Sequence, residues 1–155
     1  MKPRLYHEDE AGLLWQLLHD TVHQVNCRDY SSRQLQAWAP DTIDLSEWSE
    51  RLRRTRPIVV EHRDSLVGFA ELEPSGHIDC FYVHVDWQRK GVGGILLNAV
   101  EQSACEQKIA SLYTESSITA RPFFQSSGFT LEKEQTVTLR GSEFINYRMS
   151  KQLVC

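Results

Sequence analysis

Several things are missing from this sequence, and each absence removes a class of function. No uninterrupted apolar stretch approaches the roughly 20 residues that a membrane-crossing helix needs, and the opening MKPRLYHEDEAGLL contains no apolar signal core. The chain is therefore expected to be cytoplasmic and to have no membrane partner. Positive charge is not in excess: the net charge is −4, and no polybasic tail stands out. That balance gives no attraction for a phosphate backbone, so nucleic acid is not an expected partner. There is no CxxC pair. Cys27, Cys80, Cys105 and Cys155 are widely scattered, so they do not resemble a disulfide framework and are expected to be reduced. No internal repeat or low-complexity linker interrupts the chain. At 155 residues and 41% hydrophobic content, it is expected to fold as a single domain over 1–155.

A metal site is not expected either. His19, His23 and Cys27 recur every fourth residue on what reads as the first helix, but His19 and Cys27 would then lie roughly 12 Å apart. Ligands about 2 Å from one zinc ion cannot span that distance, so a two-ligand pair is the limit.

The pattern that is present reads as alternating strands and helices. PRLYH alternates like a short strand, and EDEAGLLWQLLHDTVHQVN places Leu14, Leu17, Leu18, Thr21, Val22 and Val25 at helical spacing. SSRQLQAWAP and DLSEWSERLRRTR predict two short helices, the second running from acids to arginines as a helix dipole favours. Arg51, Arg53, Arg54 and Arg56 then read as the solvated face of its last turn. PIVVEHR, LVGFAELE and HIDCFYVHV, separated by tight turns at Asp64-Ser65 and Pro74-Ser75-Gly76, predict an antiparallel meander. GILLNAVEQSACEQK is a helix and IASLYTES the next strand, a right-handed crossover that makes the flanking strands parallel. ITARPFFQSSG reads as a short helix stopped at Gly128, and FTLEKEQTVTLRGSEFINYRMSK as a hairpin turning near Arg140-Gly141. The expected fold is α/β of the α+β type: a mixed, mostly antiparallel sheet with one parallel βαβ crossover and helices on both faces.

One stretch asks for more than a fold explanation. DWQRKGVGGILL sets Gly91, Gly93 and Gly94 where a helix begins. A helix N-terminus leaves about four N–H groups unpaired and carries roughly half a positive charge, and glycine lets a phosphate come close to it. Arg89 and Lys90 add charge nearby. The spacing does not fit GxGxxG, and the Lys-Ser/Thr of a P-loop is missing, which argues against dinucleotide and NTPase readings.

Gln88-x-x-Gly91-x-Gly93 between a strand and a helix resembles the acyl-CoA motif of the GNAT N-acetyltransferase superfamily. Ser117-x-x-Ala120 followed by PFFQSSGF resembles that family's later coenzyme-flanking segment, and the element order from Lys2 to Lys151 fits. The resemblance implies a GNAT-like fold and acetyl-CoA as co-substrate, with no metal. The backbone N–H groups of Arg89, Lys90, Gly91, Val92, Gly93 and Gly94 would hold the pyrophosphate. Phe81, Tyr82 and Val83 would pair with the pantetheine arm where two strands splay apart, with Ser117 and Phe124 beside the coenzyme. The acceptor would be a small-molecule or peptide amine, and a homodimer stays open.

The chemistry then requires a base, because an alkylamine of pKa near 10 is almost wholly protonated at pH 7. His77 and Asp79, at i and i+2 on one strand, are the candidates, with Glu71 on the preceding strand as a third. Where many members of the family carry a tyrosine near the thiol, this chain has Phe123-Phe124. That leaves Tyr113, Tyr82 or a water to assist the leaving group, and the Val83 N–H to hold the oxyanion. Trp15, Trp38 and Trp48 fall on the helices that cover the acceptor side in similar proteins, although single tryptophans on amphipathic helices are more often core. The alternative function is a non-catalytic acyl-CoA-binding module.

Overall fold

Two of the helices begin where the sequence supplies an oxygen-bearing cap. A computed structural model describes all 155 residues. After β1 (Lys2–Leu5) and a single 3-10 turn comes α1 (Ala11–Gln24). α2 (Ser32–Trp38) starts with a capping box: the Ser31 hydroxyl accepts from the Gln34 N–H at 3.2 Å, and the Gln34 side chain accepts from the Ser31 N–H at 2.8 Å. α3 (Leu45–Thr55) is capped by Asp44, which accepts from the Glu47 N–H at 3.2 Å. There follow β2 (Ile58–His62), β3 (Ser65–Leu72), β4 (Ile78–Val83), α4 (Val92–Glu106), β5 (Ser111–Ser116), α5 (Arg121–Ser126), β6 (Thr130–Leu139) and β7 (Ser142–Gln152).

β2, β3 and β4 form the antiparallel meander, with β1 on its edge, in the order β1-β2-β3-β4; the second sheet has the order β5-β7-β6. The turn before β3 falls at Arg63-Asp64, one residue earlier than the sequence suggested. The expected parallel crossover is present, but its ladder is one bridge long, His77 to Tyr113. Beyond that bridge β4 and β5 diverge, so the expected mixed sheet is divided into two sheets joined at one end.

Each face of the first sheet carries its own core. α1, α2 and α3 set Leu14, Leu18, Val22, Leu35 and Leu52 in one core with Val59 and Phe69. On the other face α4 sets Leu96 and Val100 against Val60, Val67 and Ala70, in a core that also takes in Phe124 of α5. Each fully buried side chain of this kind contributes about 1.5–3 kcal/mol. Gly68 has a packing reason: a Cβ there would lie 3.1 Å from Val92 and 3.2 Å from the Tyr82 carbonyl, so glycine lets α4 lie close on β3.

Two departures from expectation affect the site. β3 and β4 pair Ala70 with Phe81 but Leu72 with Ile78, so β4 carries one extra residue at Asp79-Cys80. Such a bulge re-aims the side chains that follow it. Cys80 and Tyr82 consequently face the α1–α3 side together with Asp79, while Phe81 and Val83 face α4 and α5. The second departure concerns the cysteines, which are not all reduced. Cys105 at the end of α4 is disulfide-bonded to Cys155, 50 residues later. The chain after β7 returns beside α4 (the Leu153 N–H donates to the Ala110 carbonyl at 2.9 Å), a proximity that spacing alone could not reveal. Cys27 and Cys80 are free.

Candidate active site

The glycine-rich turn starts a helix, α4, where the sequence placed one. Gly91, at φ +85°, caps α4 in a conformation that L side chains rarely adopt. The Ile95 N–H returns to the Gly91 carbonyl at 3.2 Å, so the N–H groups of Val92, Gly93 and Gly94 begin the helix without intrahelical acceptors. A Cβ at Gly94 would meet nothing within 4 Å, whereas one at Gly93 would lie 2.9 Å from the Phe123 ring. Gly93 therefore also lets α5 approach.

These groups open onto a cavity of about 600 Å³ between the diverging strands. Of the residues expected to bind the coenzyme, Phe81, Tyr82, Val83, Gln88 and Arg89 line it. So do Gly91, Gly93, Gly94, Ser117 and Phe124. Lys90 and Val92 do not: the Lys90 ammonium lies 5.3 Å from the centre of the Trp87 ring, and the Val92 side chain is buried in the core under α4. Phe124 is almost wholly core, packed on Phe81 and Phe129. Gln88 donates to the Val83 carbonyl at 2.7 Å, tying the strand end to the turn. The His84 N–H donates to Val67, so alternate residues of β4 give their backbone groups to β3 while those of Phe81 and the Val83 N–H face the cleft, the Val83 carbonyl also accepting from the Thr21 hydroxyl at 2.9 Å. Arg28, from the turn after α1, also lines this cavity and carried no signal in the sequence.

A second cavity, of about 860 Å³, lies among α1, α2, α3 and the far half of the β6–β7 hairpin. Trp15, Trp38 and Trp48 all contribute to its wall, even though Trp48 is itself buried and donates to the Ala11 carbonyl at 2.8 Å. The hairpin is held over α2 by Gln34 to the Glu143 carbonyl at 2.8 Å and by Arg140 to the Ala37 carbonyl at 2.6 Å. Five residues line both cavities: Trp38, Asp79, Tyr82, Glu115 and Ser117.

The candidate bases occupy three different environments. Glu71 is fully buried and saturated, with Arg51 donating to both of its oxygens and Thr55 adding a bond at 2.6 Å. Arg51 is thus not on a solvated face; it turns inward to neutralise a buried charge, as burial requires. Its Nη2 also donates to Asp79 Oδ2 at 2.8 Å, leaving Oδ1 without a protein donor. Burial raises the Asp79 pKa, Arg51 opposes that, and the buried Glu71 charge adds to the rise. His77 is bracketed by Glu73 on Nδ1 and Glu115 on Nε2. Burial lowers its pKa, but the two carboxylate bonds outweigh that and hold it above the ordinary histidine value. Tyr82 accepts from the Trp38 indole at 2.9 Å; burial pushes its pKa far up, so its hydroxyl stays neutral with its own proton unspent. Tyr113 lines neither cavity; it stacks on His77 and meets Ser75.

The His77 arrangement has a pH signature. Its folded pKa is raised above about 6.5, so the protonated imidazole stabilises the fold fully below that value, and the contribution is lost as pH rises through the folded pKa. The unfolding free energy of the wild type minus that of His77→Gln, measured in urea across pH 5–9 (about the histidine range), should therefore fall with rising pH. A flat difference would mean that the two carboxylates do not hold the charge.

The decisive comparison is a family model. The Acetyltransferase (GNAT) domain model matches residues 26–151. The chain belongs to the GNAT acetyltransferase family. It is 37% identical over 146 residues to the uncharacterized N-acetyltransferase YafP of Escherichia coli (strain K12), a match covering 94% of this chain and 92% of the relative. A GCN5-related N-acetyltransferase from Rhodopseudomonas palustris superposes with a TM-score of 0.94 at 30% identity, covering 98% of this chain and 95% of the other. The fold is also that of yncA from Salmonella typhimurium, a putative acetyltransferase solved with acetyl-CoA (TM-score 0.74, 18% identity, 99% and 94% covered). As a member of the GNAT family, this chain is an acetyl-CoA-dependent N-acetyltransferase, which sets aside the reading as a non-catalytic module. No helix is long and apolar enough to cross a membrane.

Proposed function

We propose that this GNAT enzyme transfers an acetyl group from acetyl-CoA to a primary amine by direct attack, with the thioester at the junction of the two cavities. The observation that carries the reading is the set of residues lining both, above all Asp79, Tyr82 and Glu115. The α4 N-terminus suits the coenzyme pyrophosphate, and the cleft-facing backbone of Phe81 and Val83 suits an amide-bearing arm.

Asp79 is the base in this reading. Its Oδ1 is free, and its raised pKa brings it nearer the working pH than an ordinary carboxylate. His77 is a poorer base, because the same two carboxylates that position it favour its protonated form. Glu71 serves to fix Arg51. As the amine nitrogen bonds to the thioester carbon, its proton passes to Asp79, directly or through water, and the Val83 N–H faces the developing oxyanion. The C–S bond then breaks. A thiol of pKa near 8.5 leaves as thiolate without full protonation, and Tyr82, kept neutral by its surroundings, donates a hydrogen bond to the departing sulfur. In this chain that role moves from the usual tyrosine position, held by phenylalanine, to β4.

The acceptor cavity favours a cationic amine carrying an apolar or aromatic body. Its walls combine three tryptophans with Asp44, Glu47, Asp79 and Glu115 against Arg51, Arg140 and His77. Asn146 lines the same cavity, and its buried Oδ1 has no hydrogen-bond partner in the protein. The test is thiol release from acetyl-CoA across a panel of arylalkylamines, polyamines and peptide amines, with mass detection of the product. Turnover should be highest for amines with an aromatic body, and Tyr82→Phe should lower kcat about 10- to 100-fold, the worth of a hydrogen bond to a charged group. Thiol release without acetylated amine anywhere in the panel would defeat the proposal.

A further inference from the structure

α1 brings a second group of ligand-type side chains together outside the acetyl-transfer site. His19 and His23 stand one turn apart with their rings stacked at 4.2 Å. Both aim Nε2 at the short segment between α2 and α3: His19 meets Asp41 Oδ1 at 2.8 Å, and His23 meets the Ala39 carbonyl at 2.8 Å. One ligand atom from each of His19, His23 and Asp41 can be chosen so that all lie within 4.8 Å of one another. We propose that His19, His23 and Asp41 form a binding site for a divalent transition metal of the zinc class.

The donor chemistry fits. Two imidazoles and a carboxylate suit zinc, which binds histidine nitrogen at about 2.0–2.1 Å and carboxylate oxygen at about 2.0–2.2 Å, with a water as fourth ligand. Tetrahedral ligand atoms at those lengths sit about 3.4 Å apart, so the widest separation, up to 4.8 Å, must close by as much as about 1.4 Å. The Asp41 side chain is 70% exposed and can move that far. The surroundings support the ligands as outer shells do in metal sites. Gln36 Nε2 holds Asp41 Oδ2 at 3.3 Å; the Asp20 carboxylate, held by Gln16 at 2.8 Å, lies 4.0 Å from the other nitrogen of His19, near it but beyond hydrogen-bond distance. Cys27, the third member that sequence spacing suggested, is not part of the group; the ligand that completes it comes from a different element.

The site would also have a consequence for the enzyme. Asp41 lies in the segment whose Pro40, Thr42 and Ile43 line the acceptor cavity. A metal bridging Asp41 to α1 would fix that rim in place.

Chelator-treated protein titrated with zinc sulfate in a calorimeter should bind one ion per chain, and zinc should raise the melting temperature. Asp41→Asn, at an exposed position, should weaken zinc at least tenfold, and the His19→Ala, His23→Ala double variant should abolish binding. Cys27→Ser should bind as the wild type does. Magnesium should give no shift, because imidazole ligands do not suit it. The inference is overturned if the wild type takes up no zinc, if Asp41→Asn and the double histidine variant bind it unchanged, or if Cys27→Ser loses it. Acetyl-CoA binding plays no part in these readouts, so they stand apart from the proposed transfer reaction.

Discussion

Asp79→Asn is expected to lower kcat by about 10²- to 10⁴-fold at neutral pH, the usual worth of a general base, while leaving acetyl-CoA binding in place. The amide keeps the size of the carboxylate and can still face Arg51, but it cannot accept the amine proton. Part of the loss should return at higher pH, where free amine is more abundant. His77→Gln is the internal comparison. In the proposed mechanism it removes a cation that positions Glu115 and neighbours Asp79, so its effect on kcat should be smaller than that of Asp79→Asn and should be accompanied by lost stability at low pH. If Asp79→Asn turns over near the wild-type rate while His77→Gln collapses, the base is His77. If both retain activity, β4 does not supply it.

Gly94→Val is expected to remove most of the stabilisation that acetyl-CoA confers. At 100 times its Kd a ligand stabilises the fold by about 2.7 kcal/mol, and a 100-fold weaker Kd would leave about 0.4 kcal/mol. For a chain of this size the melting shift should fall from several degrees to about one. Gly94 is the informative position because it lines the cavity between the diverging strands with nothing within 4 Å of an added Cβ, and valine is no worse than glycine inside a helix. The other two glycines give less clear tests. A side chain at Gly93 collides with Phe123, and one at Gly91 is strained at φ +85°, so either variant could lose binding simply by disturbing the turn. A Gly94→Val protein that keeps the full wild-type shift would mean that the phosphates do not sit at the α4 N-terminus.

The features legible in the sequence are those that depend on neighbours along the chain. Helical and strand periodicity, the caps at Ser31 and Asp44, the glycines before α4 and the turn at Arg140-Gly141 are all local in cause, and the structure places each as read. The resemblance carried by Gln88, Gly91 and Gly93 was local in the same sense, and the family match agrees with it.

Features that depend on contacts between distant segments were not legible. Strict alternation along β4 puts Asp79 and Tyr82 on opposite faces; the bulge at Asp79-Cys80 is set by pairing with β3 and brings them to one. Arg51 reads as a solvated helix residue until Glu71, 20 residues on, is found buried beside it. Glu115 has no motif and becomes a candidate only because β5 leaves β4 after a single bridge and carries it to the junction of the cavities. The same holds for the Cys105–Cys155 bond and for Asp41 beside His19. By itself the sequence determined the kinds of element, their order and the glycine-rich turn that starts α4, because backbone propensity and capping act within a few residues. Which side chains meet at the junction of the two cavities was decided by tertiary structure, since strand register, a bulge and a divergence of two sheets are consequences of packing that no local pattern encodes.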